Sequence, residues 1–343
     1  MLGPAFSYRC KLSPTLQTHL WRLYIKPVLI SGLSSLPVRP ANLSALTTFH
    51  HKLLRGFLKL SPYSPTAPLY FLLGELPMEA TLHLGVLALF WNIWSNPQTT
   101  IHETVKYVLK MSDDSSVTWS VHLRLLASRY SLPDPLSLIE GALWPKQSWK
   151  DLCISRVTSY HEIKMRAKAA TNYKLSFLNV QTIGLCGRSH PALHNLLTTQ
   201  AVKIARPHLK MLAGDYMCYY FLWKDRGSDP QCRLCPSSKY LPETITHMLM
   251  LCHGTHETRN RLWPELVNTI ATTFPLNKML SGDVAVTTAA QFILDCTSLN
   301  LPNEFRINIT HPGTHEIFTA TRQYCYAIHS DRVKQLKKLK LVK

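Results

Sequence analysis

Apolar residues recur along the first third of the chain at helical spacing, with prolines punctuating them. Leu43, Leu46, Phe49, Leu53 and Phe57 fall on one stripe after Pro40-Ala-Asn42, the recurrence of an amphipathic helix. Asn42 is read as its N-cap, because an Asn side chain accepts from the first unpaired N–H groups. Lys52, Arg55 and Lys59 line up on another face at i, i+3 and i+7. Ser61-Pro-Tyr-Ser-Pro-Thr-Ala-Pro68 ends this helix, since a residue before proline is pushed out of the helical region. A second long helix is predicted from near Pro77 to about Trp94, proline being favoured at a first helical position. Thr100-Ile-His-Glu103 has capping-box spacing ahead of Val105, Val108 and Leu109.

Further along, Met111-Ser-Asp-Asp-Ser-Ser116 reads as a loop and residues 117–130 as a helix, with Leu132-Pro-Asp-Pro135 as a linker. From Ser148 a long helix carries Trp149, Cys153, Val157 and Tyr160 on one stripe. Lys164 falls on that stripe and Lys168 at its edge, so burial of the face is expected to fade after Tyr160. Short strands are expected only around 219–223 and 306–309, and no internal repeat is visible. The pattern predicts a mainly α protein. Its segments are a helical bundle over 1–131, a basic helical connector over 132–226, a small metal-binding module over 227–263, and a C-terminal region over 264–343 that ends in a basic helix.

Composition supports a folded chain: 46% of the 343 residues are hydrophobic and 17% charged. Charge changes the picture more. The formal net charge is +18, which points to a polyanionic partner, nucleic acid before membrane. Residues 146–226 hold 13 Lys/Arg against 4 Asp/Glu, and residues 322–343 hold 7 against 1. Thirteen Gly against 22 Pro speaks against a glycine-rich nucleotide fold. The first 20 residues contain Arg9 and Lys11 but no apolar signal region. The longest apolar run, Leu84-Gly-Val-Leu-Ala-Leu-Phe-Trp91, is less than half the roughly 20 residues of a membrane span. An intracellular protein of the nucleus or cytoplasm is therefore expected, with no membrane partner.

Of nine cysteines, only Cys232, Cys235 and Cys252 cluster, which suits reduced thiols and a metal site. Cys232-Arg-Leu-Cys235, His247 and Cys252 give Cys-x2-Cys-x11-His-x4-Cys spacing. Two thiolates separated by two residues grip one ion from a tight turn. A His and a Cys five positions apart complete a tetrahedron from a short helix, expected over 243–251. Four protein ligands leave no open position for a catalytic water, so the expected Zn2+ is structural and its binding energy serves folding. His253 and His256 are competing ligands that read better as surface histidines.

Catalytic patterns are scarce. Asp113 and Asp114 fit a helix-terminus turn better than a metal-binding carboxylate pair, and Asp215 in Leu212-Ala-Gly-Asp-Tyr216 fits a turn. The sequence has no Gly-x-Ser-x-Gly, P-loop, Gly-x-Gly-x-x-Gly or His-Glu-x-x-His. No small-molecule substrate is suggested. Trp91, Trp94, Trp119 and Trp149 read mostly as core, whereas Tyr219, Tyr220, Phe221 and Trp223, beside Lys224 and Arg226, divide evenly between core and base-stacking surface. The candidate nucleic-acid contacts are Lys52, Arg55, Lys59, Lys164, Arg166, Lys168, Lys174, Arg226 and Arg233. Around the group at 164–174 only Asp151 and Glu162 lie near in sequence, so these cations are expected to be largely unpaired.

In this order the features resemble the C-terminal portion of a LINE-type (non-LTR) retrotransposon reverse transcriptase. Leu20-Trp-Arg-Leu-Tyr-Ile-Lys-Pro-Val-Leu-Ile-Ser-Gly32 resembles that family's first thumb helix, and Leu73-Gly-Glu-Leu-Pro77 a joint between later thumb helices. Leu209-Lys-Met-Leu-Ala-Gly-Asp-Tyr216, then Cys232-Arg-Leu-Cys235, Pro242-Glu-Thr244, His247 and Cys252, resembles its zinc-binding region. Arg322-Gln-Tyr-Cys-Tyr-Ala-Ile-His329 is similar to a closing helix of some members. The resemblance implies thumb-like helices that hold a template–primer duplex and a zinc module that engages RNA or DNA. The family's Tyr/Phe-x-Asp-Asp turn is not in this sequence. It and the endonuclease domain would lie upstream of Met1, so a non-catalytic fragment is expected. The alternatives are a zinc-organised protein-interaction module and a non-functional remnant.

Overall fold

A computed structural model of the chain describes residues 12–111, 118–178, 180, 184–185, 187–236, 241–273, 286–298 and 313–341. Within these residues the fold is mainly α, and the only strand-like pairing is a single antiparallel bridge between Gln231 and Pro242. Helix α1 (Pro14–Leu20) runs through a π-turn (Trp21–Ile25) into α2 (Lys26–Ile30). Pro27 brings no N–H to the ladder, and the winding resets in the turn before it, where Lys26 N–H reaches back to the Trp21 carbonyl. Arg22 from this rod donates to Glu75 and to the Leu73 and Gly74 carbonyls at the end of the buried helix α4 (Ala67–Leu73). Gly74, at φ +62°, closes α4 where any Cβ would collide with the Arg188 backbone.

Helix α3 (Pro40–Leu58) starts three residues earlier than expected: Arg39 is its N-cap and Pro40 takes the first turn, displacing Asn42 from the capping role. Helix α5 (Met78–Trp94) matches its predicted span, with Pro77 as N-cap. Helix α6 (Thr100–Met111) is capped by Thr99, whose hydroxyl accepts from His102 N–H at 3.2 Å, one residue ahead of the expected capping box. Helix α7 (Trp119–Arg129) is capped by Thr118. The expected linker at 132–135 is the start of a short helix α8 (Pro135–Glu140), where the Asp134 side chain caps Ser137 N–H and Leu132 is buried.

The long basic helix α9 (Lys146–Ala170) packs along α4 and α5. Trp149, Cys153 and Val157 are buried, whereas Tyr160 and Lys164 are exposed. The seam instead continues through His161, one turn after Val157, where Tyr130 hydroxyl bridges His161 Nε2 at 3.0 Å and His83 Nδ1 at 2.5 Å.

The second half of the chain contributes α10 (Thr199–Leu212), α11 (Tyr219–Arg226), α12 (His256–Thr273), α13 (Val286–Asp295) and α14 (Thr314–Lys338). Helix α14 packs against α10, α12 and α13, burying Ile317, Phe318, Tyr324, Cys325 and Ile328. Residues 219–223 are helical, not a strand. Glu243 accepts from Tyr219 N–H at the helix start, and Gly227 at φ +69° ends it. The strand expected at 306–309 and the Asp113–Asp114 pair lie outside the described residues. One hydrophobic cluster spans Trp21 to Ile328. Among the described residues no single helix is long and apolar enough to cross a membrane.

Candidate metal centre and basic surface

The two halves of the metal cluster are built by different backbone devices. Cys232 N–H donates to the Leu241 carbonyl at 2.9 Å and Glu243 N–H to the Pro230 carbonyl at 2.8 Å. This two-rung ribbon fixes the turn that carries Cys232 and Cys235. His247 opens a π-turn (His247–Leu251) in place of the expected short α-helix. Its wider winding lets Cys252 N–H bond the His247 carbonyl at 2.7 Å, so the two ligands' own peptide groups are paired.

The four ligand atoms lie within 4.8 Å of one another. Cys232 Sγ and Cys252 Sγ are 3.7 Å apart, and Cys235 Sγ and His247 Nε2 are 3.4 Å apart. Metal–sulfur and metal–nitrogen bonds of ordinary zinc length subtend tetrahedral edges of about 3.8 and 3.6 Å, so these side chains together could hold a metal ion. Cys232, His247 and Cys252 are buried and Cys235 is half-buried. The Cys232 and Cys252 sulfurs share a hydrogen bond, which pushes the pKa of Cys232 up and that of Cys252 down. Cys235 also accepts from His253 N–H at 3.4 Å, a contact that orients a thiolate ligand. Gly254 lets the two halves meet, since a Cβ there would sit 2.6 Å from Leu234 Cβ. His253 and His256 stack on each other outside the cluster, with centroids 6.2 Å apart.

Sequence reasoning missed the group that anchors this module. Glu243, 1% exposed, accepts from Arg332 Nε at 2.9 Å and Nη2 at 2.8 Å, and from Tyr219 N–H at 2.9 Å. One carboxylate therefore ties the metal segment to both α14 and the start of α11. The visible signal was an acidic residue in Pro242-Glu-Thr244 beside the ligands; its partner lies 89 residues away. Arg332 and Arg322 are both buried, so α14 places part of its basic charge inside the core. Asp215 likewise reaches out of its turn, accepting from Ser61 N–H at 2.9 Å and lying 3.8 Å from Lys210 Nζ.

The nine candidate nucleic-acid contacts separate by environment, and the expectation of unpaired cations at 164–174 fails for three of the four there. Carboxylates from elsewhere in the fold reach Lys164 (Glu79, 3.6 Å) and Lys174 (Asp225, 2.5 Å), while Arg166 pairs with Glu162 at 3.3 Å and Arg233 with Asp229 at 2.9 Å. Arg55 is half-buried and donates to the Ser64 carbonyl at 2.9 Å, holding the turn after α3. Lys59 is buried and forms the left-handed cap of α3, at φ 56°. Lys52, Lys168 and Arg226 are exposed, with no ion pair among the described residues. Lys168 approaches α3 closely enough to add to the burial and Arg55 charge that lower His51, next to Lys52, to about 4.

Trp94 and Trp149 are core, as expected, whereas Trp91 and Trp119 are only half-buried. Of the aromatics before the metal loop, Phe221 is buried and Trp223 is 39% exposed beneath Lys224, whose Nζ lies 4.6 Å from the ring centroid. Comparison with protein-family models, curated proteins and solved structures finds no match to this chain.

Proposed function

We propose that the chain is a non-catalytic RNA- or DNA-binding protein organised by one structural Zn2+, equivalent to the thumb and zinc-binding region of a LINE-type reverse transcriptase. The observation that carries this reading is the closed Cys232–Cys235–His247–Cys252 set within a chain of net charge +18. Bound zinc would cross-link the ribbon at 230–243 to the π-turn, and its binding energy would add to folding. Three thiolates and an imidazole fill a tetrahedral ion, which suits scaffolding and leaves no position for substrate. Phosphate contacts fall to the exposed cations that have no carboxylate partner among the described residues: Lys52, Lys168 and Arg226, with Lys334, Lys337 and Lys338 on the last turns of α14.

Binding to RNA and to duplex DNA, measured over a salt series, tests this. Replacing Lys52, Lys168 and Arg226 with Gln should weaken binding to unrelated sequences about equally. It should also flatten log affinity against log salt by about 0.9 for each duplex phosphate that the protein no longer neutralises. Unchanged affinity and slope would remove these residues from the interface. The four ion pairs favour a second reading, a zinc-organised protein-docking module in which part of the basic charge is paired within the fold. Absence of salt-dependent binding to either nucleic acid would select it.

A further inference from the structure

Between α5 and α9 lies a cavity of about 350 Å³, lined by Leu84, Ala88, Trp91, Trp149 and Ile154, with Lys146 and Lys150 among its walls. Its volume is at the lower end of sites that take small ligands. Both indole N–H groups are committed to backbone carbonyls: Trp149 Nε1 donates to Leu87 at 3.0 Å and Trp91 Nε1 to Trp144 at 3.3 Å. The rings are thereby fixed in plane and offer the cavity apolar faces. Trp149 is braced further by edge contacts with Phe90 and Trp94.

Lys146 and Lys150 are exposed, one helical turn apart on α9, and neither has a carboxylate partner among the described residues. Lys146 Nζ lies 5.1 Å from the Trp91 ring centroid. No acidic side chain lines the cavity, while Asn92 supplies an amide that can donate and accept. A matching ligand has a flat apolar body, hydrogen-bonding edges, and an anion within a few ångströms of the body.

We infer that this cavity holds one unpaired nucleotide of a single-stranded RNA or DNA segment. The base lies against Trp91, and its phosphates meet Lys146 and Lys150. The inference rests on the nucleic-acid-binding reading and adds a preference for unpaired bases. A stacked base pair cannot enter a cavity of this size, whereas every base has a face that can stack on an indole. An acyl chain would also match the apolar floor, but it would leave Asn92 and the second ammonium without a partner.

Ala88 gives a clean test, because it is exposed on α5 and lines the cavity. Ala88→Leu fills the space from a helix surface without removing a core side chain. The full chain, wild type and A88L, is titrated against a fluorescent single-stranded oligouridylate, the matching oligodeoxythymidylate and a blunt DNA duplex. A88L is expected to weaken single-strand binding about tenfold, the order of a single base–aromatic stack, and to leave duplex binding unchanged. Lys146→Gln with Lys150→Gln should weaken single-strand binding and lower its salt slope. Photocrosslinking with 5-iodouridine should label Trp91. The RNA and DNA arms show which strand is preferred.

Equal single-strand affinity for wild type and A88L, with duplex binding intact, overturns this inference and leaves the broader reading standing. No binding to any of the three probes overturns both. A fluorescent long-chain fatty acid excluded by A88L, with oligonucleotide binding unaffected, reassigns the cavity to an acyl anion.

Discussion

Replacing Glu243 with Ala leaves the Arg332 guanidinium buried without its carboxylate, beside the Tyr216 ring whose centroid lies 5.8 Å away. The substitution removes two hydrogen bonds of 2.8–2.9 Å to Arg332 and the acceptor for Tyr219 N–H. Breaking a buried ion pair by removing one partner costs about 3–5 kcal/mol, and an abandoned backbone donor adds about 1 kcal/mol. Glu243→Ala should therefore destabilise the fold by about 4–6 kcal/mol and Arg332→Ala by about 3–5 kcal/mol. The double variant should cost clearly less than the sum, since each single variant already strands the other charge.

The readout is urea denaturation of zinc-loaded protein followed by tryptophan fluorescence, paired with the rate of zinc release to a chromogenic chelator. Both are needed because Glu243 N–H is itself a rung of the ribbon that holds Cys232. Release should accelerate in either single variant. Glu243→Gln keeps an acceptor for Tyr219 and should fall between wild type and Glu243→Ala. Additivity of the two single effects within about 0.5 kcal/mol, with unchanged zinc release, would refute the claim that this carboxylate anchors the metal module.

Two further expectations follow from the same structure. Cys235→Ser should abolish stoichiometric zinc binding, and metal removal by chelator should raise amide exchange across 230–263 while leaving α5 and α9 protected; full zinc retention would show that another residue supplies the fourth ligand. His50, buried against Trp21 with neither ring nitrogen hydrogen-bonded, has its pKa lowered to about 3 by burial first and by Lys26 and His51 next. Its neutral form thus stabilises the fold above pH 6.5, and that contribution is lost as pH falls toward 3, amounting to about 2 kcal/mol by pH 5. His50→Phe should remove this term, so denaturation at pH 7.5 and pH 5 should show a stability gap smaller by about that amount, and an unchanged gap would place the acid sensitivity elsewhere.

Several features were legible in the sequence because short-range physics sets them. Pro77 marked the start of α5, and apolar periodicity found the Trp149–Val157 stripe. The Cys-x2-Cys and His-x4-Cys spacings located the four side chains that come together as a candidate metal site, because each pair is held by its own turn. Caps were missed by three residues at Arg39 and by one at Thr99, because neighbouring groups compete for the same few N–H donors.

Tertiary structure alone decided which charges remain available. Lys164 and Lys174 both read as free cations, yet Glu79 and Asp225 reach them from distant segments, and Glu243 reaches Arg332 in the same way. It also decided that Trp91, on an apolar stripe, lies half-open at a cavity between two helices. Periodicity records which face of a helix turns inward. Which partner waits there depends on how helices far apart in sequence pack, and a carboxylate brought close by that packing can neutralise a cation whatever its sequence neighbours are.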